Sequence, residues 1–206
     1  MHHIADKAIS DGKATPMIIV MPDADTGQVG YFNDISGDWR YEDFFFDELI
    51  PHIESTYRTR SERAYRAVAG LSMGGGGAFV YALHRPDMFS SAAPLSASFK
   101  ETREIFRRYY KIDLDIPDEL FEAYFQRNNV LALLETVPVE DIRSVRWYID
   151  IGDDDFLFDV NSLAHIRMRR KDIPREYRVR DGGHRWSYWR EALPEVLGFV
   201  SQSFHR

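Results

Sequence analysis

The sequence predicts one α/β domain whose mostly parallel sheet is covered by helices. Three observations carry this. Short β-rich apolar runs alternate with stretches of helical period. A Gly-rich turn joins one such run directly to a helix. The 206 residues, 44% hydrophobic and 14% aromatic, are enough for one sizeable core and demand no second.

The first apolar run, Pro16 to Val20, reads as a buried strand that ends at Met21-Pro22-Asp23, with a polar, Gly-containing loop to about Trp39. A helix from about Tyr41 to Tyr57 places Phe46, Leu49, Ile50, Ile53 and Tyr57 on one face, with a kink expected at Pro51. A strand around Tyr65 to Ala69 enters the Gly-rich turn, and a helix follows until Pro86 stops it. After a strand near Ser90 to Leu95, residues 100–143 lose strand character and carry Phe, Tyr, Leu and charges at helical spacing, as expected of an inserted cap.

Strict alternation returns with Val145, Trp147, Ile149 and Ile151 facing one way and Arg146, Tyr148 and Asp150 the other. The acidic turn Gly152-Asp153-Asp154-Asp155 closes that strand. A helix from about Asn161 to Lys171, an edge strand at Glu176 to Arg180, a Gly-flanked loop at 181–184 and a last helix with Trp189, Leu193, Val196 and Val200 on one face complete the pattern.

Composition excludes several functions. A formal charge of -7 argues against nucleic acid, whose binding needs a basic surface that displaces counterions. The one basic cluster, Arg167, Arg169, Arg170 and Lys171, reads as a solvated helix face. Without cysteine there is no thiol catalysis and no thiolate-bound zinc. No apolar run approaches the ~20 residues of a membrane span, and the first residues hold no leader-peptide core, so no membrane partner is expected. Calcium ligands are conceivable at Asp153-Asp154-Asp155 or Asp23-Ala24-Asp25, but neither has the spaced oxygens and distal Glu of a calcium loop; no metal or other cofactor is expected.

The chemistry centres on Gly70-Leu71-Ser72-Met73-Gly74. A Gly-x-Ser-x-Gly match arises by chance about 0.07 times in a chain of this length. Its setting between a β-run and a helix is what makes it informative, because a serine on a sharp strand-to-helix turn projects its hydroxyl above the sheet. That turn brings the residues two before and two after the serine together, so Gly70 and Gly74 are expected where a Cβ would clash. It also aims the Met73 backbone N–H at a developing oxyanion, beside a helix N-terminus. The run Gly74 to Gly77 costs a helix about 1 kcal/mol per residue relative to alanine, so close packing of the helix start must compensate.

Serine needs an imidazole to take its proton and a carboxylate to orient that imidazole. Of seven histidines, His2 and His3 are terminal, His52, His84 and His165 fall on helices, and His205 is in the tail. Only His184 lies in a Gly-flanked loop at the end of a strand. Asp153, Asp154 and Asp155 all compete for the acid, with Asp159 as a weaker candidate.

The chain resembles the esterase family that includes feruloyl esterases and esterase D. The likeness runs through MPDAD, GYFND, YEDFFFDELIPHIE, AGLSMGGGGA, PLSAS, GDDDFLF and GGHRWSYW. It implies an α/β-hydrolase fold with Ser72 as nucleophile, His184 as base and Asp155 as acid, and it implies hydrolysis of a carboxylic ester, most similar to the hydroxycinnamoyl esterases that act on plant polysaccharide. A small-molecule or polysaccharide-linked ester is then the expected partner, in a secreted or periplasmic setting. The resemblance further implies that Trp186 and Trp189, with cap aromatics such as Phe106, Tyr109, Tyr110 and Phe125, border an acyl pocket. Acyl transfer by the same fold, and ligand binding without turnover, are the competing expectations.

One departure stands out. In such folds the serine strand is normally the fifth, and a loop after the third donates the second oxyanion N–H. Only one clear strand precedes the elbow here, so the sequence is expected to be a fragment of a longer esterase that lacks strands on the N-terminal side.

Overall fold

The computed structural model describes residues 1–24, 26–27 and 29–205. Among these residues four strands, β1 (Ala67–Leu71), β2 (Ser91–Leu95), β3 (Arg146–Gly152) and β4 (Arg175–Arg180), form one sheet in that spatial order, every pair parallel. Ala67 stands opposite Ser91, Ser91 opposite Arg146, and Trp147 opposite Arg175. Helices α1 (His2–Ser10), α2 (Tyr41–Asp43), α3 (Ile50–Thr56), α4 (Met73–His84), α5 (Arg103–Tyr109), α6 (Asp118–Asn128), α7 (Val130–Thr136), α8 (Val139–Ser144), α9 (Phe158–Arg170) and α10 (Trp186–Ser201) surround it.

Burial on both faces explains why β2 reads as a mostly apolar run. Trp147 and Ile149 join Phe79 of α4, Leu134 of α7 and Met168 of α9 in the larger core. Tyr148, one residue out of phase, packs the opposite way with Ala93, Leu95 and the Ala192, Val196 and Val200 stripe of α10. The polar-looking side of β3 is therefore covered too, with Tyr148 and Asp150 both buried. Residues 100–143 are helical as expected; α7 packs against α4 and α9. Two residues of the basic cluster tie helices together and are not merely solvated. The Arg167 guanidinium donates to Leu131 O at 2.6 Å and the Lys171 ammonium to Leu134 O at 2.7 Å, binding carbonyls of α7.

Two expectations fail. Pro16 to Val20 is not a strand. It alternates as a strand would, with Met17 and Ile19 against α1 and α10 and with Ile18 and Val20 exposed, but it joins no ladder. Alternation alone cannot make a strand; the backbone groups need a paired neighbour. Among the described residues β1 pairs only with β2, and its other edge is open. The Tyr41–Tyr57 helix is also more complex than a kinked α-helix: Phe44–Leu49 is wound as a π-helix between α2 and α3. Pro51 has no N–H to give and would crowd the carbonyl four residues earlier, and the wider winding lies immediately before it. Tyr57 lies past the helix end and is exposed.

Candidate active site

All of the chemistry gathers at the carboxyl ends of the strands, where open α/β sheets place their ligands. Ser72 follows β1 as the cap of α4, with φ +55° and ψ -118°, a conformation an L-residue adopts only when its surroundings enforce it. Three hydrogen bonds enforce it. Ser72 N donates to Leu95 O at 3.0 Å, and Ser72 O accepts from Ser98 N at 2.8 Å and Gly76 N at 3.1 Å.

The glycines divide by function. A Cβ on Gly70 would lie 2.2 Å from Gly74 O, so no other residue fits there. Gly74 itself has room, since the nearest atom to an added Cβ is 3.7 Å away, which corrects the expectation that both flanking glycines are sterically required. Gly75 and Gly76 let α4 descend onto the loop after β2: added Cβ atoms would meet Leu95 O at 2.6 Å and Ser98 O at 2.2 Å. This close packing offsets the helix cost of the glycine run. The helix begins at Met73, so the Met73 N–H is the first of its orphan donors and has no acceptor within the helix.

At the end of β3 the three aspartates separate. Asp153 and Asp154 are exposed, while the Asp155 carboxylate is fully buried. Asp155 Oδ1 accepts the Leu157 N–H at 2.9 Å, which turns the carboxylate inward at the start of α9. Asp159 is exposed in the first turn of α9.

His184 closes the chain of contacts. Its Nδ1 lies 2.9 Å from Asp155 Oδ2 and 3.1 Å from Oδ1, and its Nε2 lies 2.8 Å from Ser72 Oγ. Because the carboxylate can only accept, Nδ1 carries the proton and the Nε2 lone pair faces the serine hydroxyl. The imidazole sits between Phe156, 4.6 Å away by ring centres, and Trp189, 4.8 Å away and edge-on.

The predicted pocket aromatics split. Trp189 is 5% exposed and its indole N–H donates to Ser96 Oγ at 3.0 Å, so it backs the imidazole instead of lining a pocket. Trp186 is 59% exposed at the rim, edge-on to Trp189. Phe106 and Phe125 pack into the core. Tyr109 and Tyr110, with Tyr31, Phe32 and Phe99, line a narrow recess beside Met73.

Several residues escaped sequence reading. Asn161 bonds both Ala97 N, at 3.2 Å, and Ala97 O, at 2.9 Å, from inside α9, fixing the loop on which the elbow rests. Lys100 holds its ammonium 3.4 Å from the centre of the Tyr109 ring and 3.4 Å from Ser98 Oγ, and burial lowers its pKa below the ordinary lysine range. No local sequence signal marks either role, because both partners lie far from their residue's own turn or come together only in the fold.

Carboxylate oxygens of Asp153, Asp154 and Asp181 lie within 4.8 Å of one another on the surface, and Asp153 Oδ1 accepts the Gly182 N–H at 3.0 Å. Asp25 of the other acidic pair lies outside the described residues. A wider hollow of about 590 Å³, lined by Arg63, His84, Asp141 and Ser144, lies at the opposite end of the strands from Ser72.

A strand-turn-helix serine, an acid after β3 and a histidine after β4, in that chain order, define the α/β-hydrolase class. Within it, the chain belongs to the family described as "Putative esterase", which it matches over residues 1–200. It is 37% identical over 107 residues to the "Endo-1,4-beta-xylanase/feruloyl esterase" of Xylanibacter ruminicola, a match covering 50% of this chain and 14% of that protein. It is 23% identical over 183 residues to an "Acetyl esterase" of Caldicellulosiruptor saccharolyticus, covering 84% of this chain and 68% of that one. A solved "ferulic acid esterase" superposes with a TM-score of 0.82 at 37% identity over 98% of this chain and 77% of its own.

Proposed function

We propose that the chain hydrolyses carboxylic esters through an acyl-enzyme on Ser72, with hydroxycinnamate esters of plant polysaccharide as the preferred substrates. The observation that carries the reading is the unbroken Ser72–His184–Asp155 hydrogen-bond chain on a strained elbow. Ser72 Oγ attacks the ester carbonyl as His184 Nε2 takes its proton, and Asp155 stabilises the resulting imidazolium. The Met73 N–H, at the positive end of α4, faces the developing oxyanion. Nε2 then returns the proton to the departing alcohol oxygen. In the second half, water attacks the acyl carbonyl and gives its proton to the same nitrogen, which passes it to Ser72 Oγ as the serine–acyl bond breaks and the acid leaves.

The aromatic preference is supported by likeness to proteins named for feruloyl ester cleavage and by the exposed Trp186 ring at the rim of the site. The test is hydrolysis of methyl ferulate, methyl sinapate and 4-nitrophenyl acetate by the chain and by Ser72→Ala. The expected result is turnover of the hydroxycinnamates with the highest kcat/KM, lost by about 10⁶ in the variant. Turnover of acetate esters alone would overturn the aromatic preference, and equal rates in both proteins would overturn the enzyme reading.

A further inference from the structure

A second buried carboxylate lies near the first, and the chemistry above does not use it. Asp150 of β3 is fully buried, and three side chains converge on it. Tyr188 OH donates to Oδ1 at 2.5 Å and Tyr148 OH to Oδ2 at 3.2 Å. A guanidinium nitrogen of Arg180 stands 2.8 Å from Oδ2 as a charge contact, while the other donates to Tyr148 OH at 2.9 Å and to Glu195 at 2.5 Å. Burial pushes the Asp150 carboxyl up, and the hydrogen bond from Tyr188 and the charge of Arg180 pull it back.

Burying a charge costs more than packing an apolar group of the same shape, so this network is a poor choice for stability alone. Its placement suggests another use. Arg180 is the last residue of β4, and Tyr188 lies in the first turn of α10, so the two bracket the loop that carries His184. Both ends of that loop are tied to one carboxylate. Its interior is laced to the acid turn as well, since Asp153 N donates to Arg180 O and Asp154 N to Gly182 O, each at 3.0 Å. The Asp150 carbonyl also accepts from Ser96 N at 2.8 Å, next to the Leu95 carbonyl that holds the Ser72 N–H.

We infer that Asp150 is a positioning residue, a clasp that, through Arg180 and Tyr188, closes the base of the 181–185 loop and sets the His184 imidazole against Asp155 and Ser72. The inference rests on the triad reading above. It commits Tyr188 to a role in turnover although its hydroxyl touches none of the three triad residues' side chains.

The test uses the full chain with Asp150→Asn, Tyr188→Phe and, as a stability control in the opposite core, Ile142→Val. kcat and KM on the best ester are measured at a temperature where all are folded, alongside thermal midpoints and the downfield proton NMR signal of the His184 Nδ1–H. A displacement of about 1 Å is enough for a hundredfold loss, so Tyr188→Phe is expected to lower kcat about ten- to hundredfold, with KM within about twofold and the Nδ1–H signal shifted or broadened. Ile142→Val, matched or worse in thermal midpoint, is expected to keep kcat within about twofold. Wild-type kcat and an unchanged signal in Tyr188→Phe overturn the inference, whether or not Asp150→Asn folds. Failure of the ester-hydrolase reading shows separately, as equal turnover by wild type and Ser72→Ala, and the Nδ1–H signal reads the clasp in either event.

Discussion

The elbow and the Pro16–Val20 segment start from similar sequence signals and end differently. Both are apolar stretches next to a turn. Around Ser72 the backbone is held from two sides by Leu95 and Ser98, and glycines let α4 sit directly on that loop. Along 16–20, Met17 and Ile19 pack inward while Ile18, Val20 and Met21 face out, and no ladder forms. Local pattern specifies which side chains point inward, but a strand exists only where a neighbour accepts its hydrogen bonds.

Gly70→Ala attacks the tight side of this contrast. Its methyl would stand 2.2 Å from a carbonyl oxygen, so a stability loss of about 3 kcal/mol or more is expected in denaturant unfolding, together with loss of esterase turnover. Gly152→Ala should behave alike, because its Cβ would meet Gly182 O at 2.0 Å and drive the acid turn away from the His184 loop. Gly74→Ala, with its space, is expected to be neutral or slightly stabilising through helix propensity, by up to about 1 kcal/mol.

The loose side is probed by Ile18→Thr and Val20→Thr. Both side chains are largely exposed, and each substitution is expected to shift unfolding by no more than about 0.5 kcal/mol while reducing self-association in light scattering. The smallest effect is expected at His165, whose pKa burial lowers, with the Arg175 and Arg169 charges acting the same way. A histidine depressed in the folded state takes up its proton first when unfolded. Its contribution is therefore present above the ordinary histidine pKa and is lost as pH falls from there toward the folded value. His165→Gln should make stability less sensitive to pH across that window, as read by thermal midpoints at successive pH values.

Much of the site was legible in the sequence. Ser72 and His184 could be chosen because strand-turn-helix and Gly-flanked loop are local signatures. Asp155 could not be separated from Asp153 and Asp154 by spacing, since adjacent residues of a turn can each face inward. The Leu157 N–H settles it in space. The resemblance implies Trp189 as a pocket wall, whereas the structure spends its N–H on Ser96 and its edge on His184.

The order of strands and helices from Ala67 onward, the serine elbow and its histidine were determined by the sequence alone, because each rests on periodicity or on a turn that few residue types can make. Which aspartate turns inward, whether Pro16–Val20 is a strand, and that Asp150 gathers Arg180 and Tyr188 were decided only in the tertiary structure. Hydrogen-bond partners far apart in the chain settle those questions, and no local pattern records which distant group will be there to accept or donate.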